Sequence, residues 1–326
     1  MEIKTLAKNV IDYAISNWAS DIFIFPRADK YQINLRTQKG LIEWQEIENQ
    51  KAQELISYFK YIGQMDIAEH RRPQVGSVDQ MAQKSQVFLR FSTTGDFLNR
   101  EALVTRIIYE NKENNYFYSS QFEQLKNLCY LRGLIITSGP TGSGKTSTMY
   151  ELARQVGVNK VVMTIEDPVE IYEPRFLQTQ INAVAGIKYL DLMKAALRNR
   201  PDILIIGEIR DPETAKVAVN AALSGHLVLA TVHAKSSLQT ISRLQGLGIN
   251  KSELANSLTA VSYQRLIFNQ KLQAPACLFD LAYGSKLTQA LNQDERADFV
   301  DWQDSLQSLR KEDKISETDF YLFQQG

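Results

Sequence analysis

A glycine-rich loop of eight residues constrains the fold of this chain more than any other part of its sequence. Loops of this kind follow a strand and open a helix, because their backbone N–H groups and the positive end of the helix surround phosphate oxygens together. An apolar run, Gly133 to Thr137, precedes the loop as the pattern requires. The sequence therefore predicts a phosphate-binding loop, and a glycine-rich turn that matches by chance is the alternative. The loop reads Gly139, Pro140, Thr141, Gly142, Ser143, Gly144, Lys145, Thr146.

The chain around and after this loop is predicted to form a parallel sheet. Continuous apolar runs alternate with helical segments, which is typical of parallel strands covered by helices on both faces. The fold class predicted from this alternation is α/β. The apolar runs are 133–137, 160–165, 202–206 and 227–232.

Polar side chains lie at the ends of three of these predicted strands. Glu166 and Glu208 each follow one strand, and His233 follows another. Since the carboxyl ends of parallel strands share one edge, where ligands bind, we expect these side chains to converge on the loop. There Lys145 is predicted to contact the terminal phosphates and Thr146 to ligate Mg²⁺, while the two carboxylates hold the Mg²⁺ shell or polarise the attacking water. Helix capping is the alternative role for either glutamate.

The histidines and cysteines do not form a metal-site pattern. His226 and His233 lie at opposite ends of one predicted strand, about 23 Å apart on the usual rise per residue, so they cannot share an ion. We expect His233 to be a neutral hydrogen-bond partner of the terminal phosphate, whereas His226 is either structural or functional. Cys129 and Cys277 form no Cys-x-x-Cys pair. The sequence therefore indicates neither zinc nor a disulfide framework and is typical of a reducing, cytoplasmic compartment.

The first third of the chain is predicted to form a smaller α+β unit. An amphipathic helix is followed by short strand patterns, a second helix and further strands. A polar stretch near 111–115 is the predicted linker, and the chain after Gln239 has a helical pattern with an acidic end. The predicted strands are 21–25, 31–36, 41–47, 86–92 and 102–109, with the second helix at 50–62. The predicted domains are 1–110, a linker over 111–120, a parallel-sheet core over 121–245 and a helical C-terminal segment over 246–326.

The charge of the chain argues against one class of function. Its 37 Lys and Arg residues balance 37 Asp and Glu residues, so a strongly basic surface that holds nucleic acid is disfavoured. The N-terminus lacks the apolar core of a signal peptide. The long uncharged stretch 217–234 contains polar side chains, and we predict a buried helix, turn and strand there instead of a membrane span.

Four sequence motifs resemble those of the type II secretion and type IV pilus assembly ATPases, and they occur in the same order as in that family. The phosphate-binding loop corresponds to the Walker A motif of that family. Residues Thr164-Ile165-Glu166-Asp167-Pro168-Val169-Glu170 correspond to its Asp box. Residues 196–211, which include Gly207-Glu208, correspond to its Walker B motif, and residues 225–233 correspond to its His box. A weaker likeness extends over about 15–270.

This resemblance implies a RecA-like motor domain with a PAS-like N-terminal domain, assembled as a homo-hexameric ring that uses ATP and Mg²⁺. Arginines of the N-terminal domain help to complete the nucleotide site in such rings, and the matching positions are Arg90 and Arg106. A guanidinium group suits the charge that develops on a transferred phosphoryl group. Surface salt bridges are the alternative for both arginines. Arg210 either has a similar role or pairs with Asp211.

The chain also departs from the commonest form of that family. It has neither the paired Cys-x-x-Cys motifs after the His box nor a long N-terminal extension, and Phe23 and Lys235-Ser236 replace residues usual in the family. This reduced form is most similar to the competence ATPase of Gram-positive bacteria, which drives assembly of a pseudopilus for DNA uptake. The resemblance implies a location at the inner face of the membrane, a polytopic platform protein as partner, pilin-like subunits as indirect partners, and no direct contact with nucleic acid. Type II secretion and pilus retraction are the alternatives.

The motifs and the resemblance together predict ATP hydrolysis. Glu208 is expected to orient or deprotonate water, while Glu166 supports the metal shell or shares that role. Two rival functions are a scaffold that binds ATP without hydrolysing it and a DNA-translocating motor. The balanced charge of the chain weighs against the motor.

Overall fold

The computed structural model describes residues 2–37, 40–82, 85–109, 114–182, 186–292 and 300–326 of the chain. The chain divides into two compact units, Met1–Asn111 and Lys112–Gly326. Each unit contains its own sheet, with six strands in the N-terminal unit and seven in the C-terminal unit.

The N-terminal unit is an antiparallel sheet with two helices packed against it. The strands lie in the order β3-β2-β1-β6-β5-β4, and every neighbouring pair is antiparallel. Apolar side chains of the helices and strands form one buried core between helix and sheet. The elements are α1 (Ile3–Ser16), β1 (Asp21–Pro26), β2 (Lys30–Thr37), β3 (Gly40–Glu48), α2 (Asn49–Ile62), β4 (Gln74–Ala82), β5 (Ser85–Gly95) and β6 (Glu101–Tyr109).

The strands and helices predicted for this unit are found within a few residues of their expected bounds. Strand β4 was not predicted, because its sequence has no regular apolar alternation and includes Gly76. That glycine permits a close approach of two backbone segments, since a Cβ at Gly76 would lie 2.3 Å from the carbonyl oxygen of Gly63. Pairing with β5, which local sequence does not show, makes β4 a strand.

The C-terminal unit is a mostly parallel sheet between two layers of helices. The strand order is β13-β12-β7-β11-β10-β8-β9, with only β13 antiparallel to its neighbour. The elements are α3 (Ser119–Cys129), β7 (Gly133–Ser138), α4 (Lys145–Val156), β8 (Val162–Glu166), β9 (Leu177–Gln180), α5 (Tyr189–Arg198), β10 (Ile203–Ile206), α6 (Pro212–Leu223), β11 (Leu227–Val232), α7 (Ser237–Gly246), α8 (Lys251–Ser257), β12 (Leu258–Asn269), β13 (Ala274–Tyr283), α9 (Gly284–Asn292), α10 (Val300–Lys311) and α11 (Glu317–Leu322).

Successive side chains of the central strands enter opposite cores. On β10, Leu204 and Ile206 pack with α5, α6 and α7, whereas Ile203 and Ile205 pack with α3 and α4. Burial on both faces explains why these strands are continuous apolar runs, and it confirms the α/β prediction for this part of the chain.

The uncharged stretch 217–234 is a buried helix, turn and strand, as predicted. It comprises the end of α6 and all of β11. Among the residues that the structure describes, no helix has both the length and the apolar composition that a membrane span requires.

The predicted helical segment over 246–326 is wrong for its central part. Residues 258–283 form the hairpin of β12 and β13, which extends the sheet beside β7. The apolar residues of this stretch fit a strand as well as a buried helix, and only pairing with β7 decides between them. Residues of the predicted linker also differ, because Tyr116 forms a β-bridge with Cys277 and α3 begins at Ser119. Residues 110–113 lie outside the described part of the chain.

Both cysteines are buried in the C-terminal unit. Cys129 and Cys277 are free thiols and belong to the same apolar core, on the side of the sheet that α3 and α4 cover. Burial raises the pKa of Cys129 to about 12 and raises the pKa of Cys277 as well. Neither thiol is therefore a nucleophile in the folded protein.

Candidate active site

The glycine-rich loop connects the end of β7 to the start of α4, as the motif requires. Gly139, Gly142 and Gly144 have φ angles of 144°, 79° and 83°, which side chains rarely adopt. At Gly139 there is also no room, because a Cβ would lie 2.5 Å from the carbonyl oxygen of Gln264. The three glycines thus give the loop a backbone path that other residues would strain.

Lys145 lies at the mouth of this loop with its side chain largely buried. Its ammonium group donates to the carbonyl oxygens of Gly139 and Pro140, both at 2.9 Å. Burial lowers the pKa of Lys145, and the carboxylates of Glu208 and Glu170 act in the opposite direction. A cation held only by carbonyl oxygens is ready to exchange them for phosphate oxygens.

The loop faces a cleft of about 640 Å³ at the carboxyl edge of the parallel strands. Lys145 and Thr146 line this cleft together with Glu166, Glu208 and His233. The structure therefore brings together the strand-end residues that the sequence placed at this edge. The volume of the cleft lies in the range of small-molecule binding sites.

Glu208 lies just beyond the end of β10, and an arginine and a histidine lie close to its carboxylate. Arg210 Nε donates to one carboxylate oxygen at 2.7 Å, and His233 Nε2 lies 3.5 Å from the other. The hydrogen bond to Glu208 raises the pKa of Arg210. Asp211 is not the partner of Arg210, because its carboxylate caps α6 by accepting from the backbone N–H of Thr214.

Glu166, the last residue of β8, has a different environment. Its side chain is 2% exposed, and one oxygen accepts a hydrogen bond from the Tyr150 hydroxyl at 2.5 Å. Gln178 Nε2 donates to the same hydroxyl at 2.6 Å, which orients it. Burial raises the pKa of Glu166 more than these hydrogen bonds lower it. Burial therefore favours the protonated form of Glu166 relative to that of an exposed glutamate.

Thr146 has an acidic partner of its own. Its hydroxyl donates to Glu170 Oε2 at 2.7 Å, and Glu170 also lines the cleft. Within the described residues, no group of three His, Cys, Asp or Glu side chains forms a cage for a metal ion. A hydroxyl with separate carboxylates nearby fits Mg²⁺, which keeps several waters and takes phosphate oxygens as ligands.

The remaining predicted site residues lie elsewhere. Arg90 and Arg106 face each other across β5 and β6 of the N-terminal unit. Arg106 Nε donates to Asp21 at 3.1 Å, so the salt-bridge alternative is present for this arginine. His226 lies at the opposite end of β11 from His233, with Nδ1 3.0 Å from the carbonyl oxygen of Ala221, which is a structural contact.

Sequence reasoning missed four residues that shape the site, namely Tyr150, Glu170, Gln178 and Gln264. Tyr150 lies on α4 and Gln178 on β9, so their contact with Glu166 depends on how these elements pack. Gln264 on β12 donates to the carbonyl oxygen of Ser143 at 2.7 Å, across 121 positions of sequence. Two of the four had a signal, since Glu170 ends the Asp-box motif and Gln264 belongs to the weaker likeness to the family, in Gln264-Arg265-Leu266.

A protein-family model described as type II/IV secretion system protein matches residues 1–300. The competence protein ComGA of Streptococcus pneumoniae is 40% identical over 265 residues, which cover 81% of this chain and 85% of that protein. ComGA of Bacillus subtilis is 36% identical over an alignment of 335 positions, which covers 95% of this chain and 92% of that protein.

A solved structure of the pilus retraction motor PilT with bound ADP is similar to this chain with a TM-score of 0.76. The two share 21% of their residues, and the match covers 97% of this chain and 96% of that chain. At this identity the match shows that the two chains share a fold.

Proposed function

The chain belongs to the type II/IV secretion system protein family, as its motifs predict, and we propose that it is an ATPase that powers assembly of a competence pseudopilus for DNA uptake. Two competence proteins similar to this chain over most of its length support the choice of process. The proposal includes a homo-hexameric ring built from a RecA-like C-terminal unit and a PAS-like N-terminal unit. Type II secretion and pilus retraction are the other processes that ATPases of this kind drive.

One observation carries the proposed hydrolysis, namely that the phosphate-binding loop and an ion-paired glutamate face one cleft. Lys145, Thr146 and Glu208 all line this cleft. We assign the first two to the terminal phosphates and Mg²⁺. Phosphoryl transfer needs charge neutralisation, an oriented water and a proton acceptor, and this cleft has a candidate for each.

We assign the proton-accepting step to Glu208. The hydrogen bond from Arg210 holds the carboxylate in one orientation, so it can accept the proton of the attacking water. The water oxygen bonds to the terminal phosphorus as the bond from that phosphorus to the bridging oxygen breaks and ADP leaves. His233 lies near the other carboxylate oxygen, and we assign to it a hydrogen bond to the terminal phosphate. Mg²⁺, when bound, neutralises charge on the phosphate oxygens.

Lys145 and Glu166 have supporting roles in this proposal. The ammonium group of Lys145 leaves the carbonyl oxygens of Gly139 and Pro140 for the terminal phosphates. Glu166, held by Tyr150, would support a bound Mg²⁺ through water. The Thr146 hydroxyl, which donates to Glu170 in this structure, would be a ligand of that ion.

Arg90 and Arg106 are proposed to complete the nucleotide site of a neighbouring subunit. Arg106 would then leave Asp21 for the charge that builds on the phosphoryl group. Motion between the two units on hydrolysis would act on a polytopic platform protein at the inner face of the membrane, which adds pilin-like subunits. This arrangement requires no direct contact between the ATPase and DNA.

Phosphate release from ATP by the purified protein with Mg²⁺ tests the proposal. We expect Lys145→Ala and Glu208→Gln each to lower turnover about 100-fold or more, since both remove a group that acts on the transferred phosphoryl or its nucleophile. Glu208→Gln should keep its affinity for ADP within a few-fold. Glu213→Gln is the matched control, because Glu213 is exposed on α6 and does not line the cleft. Wild-type protein that binds ATP and releases no phosphate would establish the scaffold instead.

Solution mass with and without ATP tests the ring. A hexamer with ATP, together with lower turnover in Arg106→Ala and unchanged ADP affinity, is the expected result. A strict monomer at micromolar concentration would contradict the cross-subunit role of the arginines. Stimulation of turnover by DNA that weakens steeply with salt would point to the DNA motor.

A further inference from the structure

Strand β12 forms a wall behind the phosphate-binding loop. Its pairing with β7 ends at Tyr263 opposite Ser138, so Gln264 is the first residue of β12 beyond the end of β7. The loop begins at this point and lies against the extension of β12. A Cβ at Gly139 would lie 2.5 Å from the Gln264 carbonyl oxygen, and a Cβ at Gly144 would lie 3.3 Å from Gln264 Nε2.

Gln264 makes one hydrogen bond to this loop. Its side chain is fully buried, and Nε2 donates to the carbonyl oxygen of Ser143 at 2.7 Å. The Ser143 carbonyl and the Gly144 N–H belong to one trans peptide, so they point in opposite directions. Holding the carbonyl against β12 therefore turns the Gly144 N–H toward the cleft that Gly144 lines.

The strand that carries Gln264 is itself held on its other side. Tyr263 packs edge-on against Trp302 of α10 with ring centroids 5.4 Å apart. Arg265 donates to the Tyr263 hydroxyl at 2.8 Å and to the carbonyl oxygen of Gly326 at 2.6 Å. Because both neighbours of Gln264 are fixed in this way, its amide has little freedom to move. The position of the amide therefore determines the position of the loop carbonyl that it binds.

One polar atom of this buried amide has no hydrogen-bond partner among the described residues. Gln264 Oε1 accepts no hydrogen bond from the described residues, although the side chain has no exposure. A buried acceptor without a hydrogen bond costs stability. An apolar side chain of the same shape would avoid this cost, so packing alone does not account for a glutamine here.

We propose that Gln264 is a positioning residue that aims the Gly144 N–H at the phosphates of the bound nucleotide. The inference rests on the proposed nucleotide site and deepens it. Gln264 itself does not touch the nucleotide. It acts through the Ser143–Gly144 peptide. Without the Gln264 amide this peptide can rotate, while the other residues that line the cleft are unchanged.

Gln264→Met tests this role, because methionine has a similar shape and no donor. We expect the Kd for a fluorescent ADP analogue to rise about tenfold. The KM for ATP should rise by a similar factor with kcat within about twofold, since the Gly144 N–H contacts phosphate both before and during transfer. Ser262→Ala, two residues earlier on the same strand, is the matched control and should leave both constants unchanged.

A second variant keeps the test open if methionine disturbs folding. Gln264→Leu is smaller and also offers no donor to Ser143, so its ADP affinity should fall at least as far as that of Gln264→Met. Either folded variant with a Kd within twofold of wild type, whatever its melting temperature, would overturn the positioning role. Wild-type protein that binds no ADP would overturn the proposed nucleotide site itself, and thus separates the two failures.

Discussion

The two units of this protein bury a glutamate in opposite ways. In the N-terminal unit Glu101 is 8% exposed, and its two oxygens lie 2.8 Å from Lys60 Nζ and 2.8 Å from His70 Nδ1. In the C-terminal unit Glu166 is 2% exposed and accepts a hydrogen bond from the neutral hydroxyl of Tyr150. A cation compensates the first acid, and neutral donors compensate the second.

This difference separates a structural junction from a site. Lys60 is fully buried and also donates to the carbonyl oxygen of Glu69, so the Glu101 pair ties the segment after α2 to β6. Glu166 lies at the cleft, and burial raises its pKa. A buried acid with a cationic partner fixes its neighbourhood, whereas one with neutral partners changes charge when its surroundings change.

The same substitution at the two glutamates gives the sharpest test of this contrast. Glu101→Gln leaves the Lys60 ammonium group buried without a counter-charge, so we expect the N-terminal unit to lose about 3–5 kcal/mol of stability. Hydrogen–deuterium exchange of the α2 and β6 segments, together with urea unfolding, measures this loss. Similar losses at both glutamates would break the contrast.

Glu166→Gln should behave differently, and the difference depends on pH. The folded-state pKa of Glu166 is raised above its ordinary value of 4.5. The stability from this carboxyl is therefore fully present below pH 4.5 and is lost as pH rises through the raised pKa. Glutamine does not ionise, so the variant should gain stability over wild type as pH rises. Urea midpoints of nucleotide-free protein check this, and a gain that grows toward low pH would contradict it.

A smaller effect is expected from the neutral donors. Tyr150→Phe removes the donor to Glu166 and the acceptor of Gln178, which should cost about 1–3 kcal/mol. Tyr109→Phe in the N-terminal unit removes one bond, to the carbonyl oxygen of Ala19, and should cost about 1 kcal/mol. Thermal unfolding of both variants measures the two losses of stability. Equal losses would show that the Tyr150 hydroxyl stabilises the protein no more than the Tyr109 hydroxyl does.

The smallest expected effect concerns helix starts. Asp211 caps α6, so Asp211→Ala should cost about 1 kcal/mol. Glu48 holds the N-cap position of α2 in the N-terminal unit without a side-chain cap bond, and Glu48→Ala should change stability by less than about 0.5 kcal/mol. Urea unfolding distinguishes these values. A loss at Glu48 as large as that at Asp211 would remove the contrast in capping.

Local patterns predict much of both sheets. Continuous apolar runs predict β7, β8, β10 and β11, because a strand that is buried on both faces has apolar side chains along its whole length. Strands β4, β9, β12 and β13 escape prediction. β4 lacks a regular apolar alternation, and β12 is a strand because it pairs with β7, which is far away in the sequence. The strand order likewise depends on contacts that no local window contains.

The candidate site divides along the same line. Lys145, Thr146, Glu208 and His233 follow from motifs whose spacing places them at one sheet edge, and the structure brings them to one cleft. Their partners do not follow from spacing. Gln264 lies 121 positions from Ser143, and only the docking of β12 beside β7 brings them together.

The burial of both cysteines makes the chain its own sensor of unfolding. The chain has two cysteines, and both lie in the core of the C-terminal unit, beyond the reach of thiol reagents while that core is closed. Because modification requires an exposed thiolate, the rate of labelling measures how often this core opens. The N-terminal unit contains no cysteine, so its own opening exposes no thiol. The native chain, without engineered probes, therefore reports the opening of its C-terminal unit.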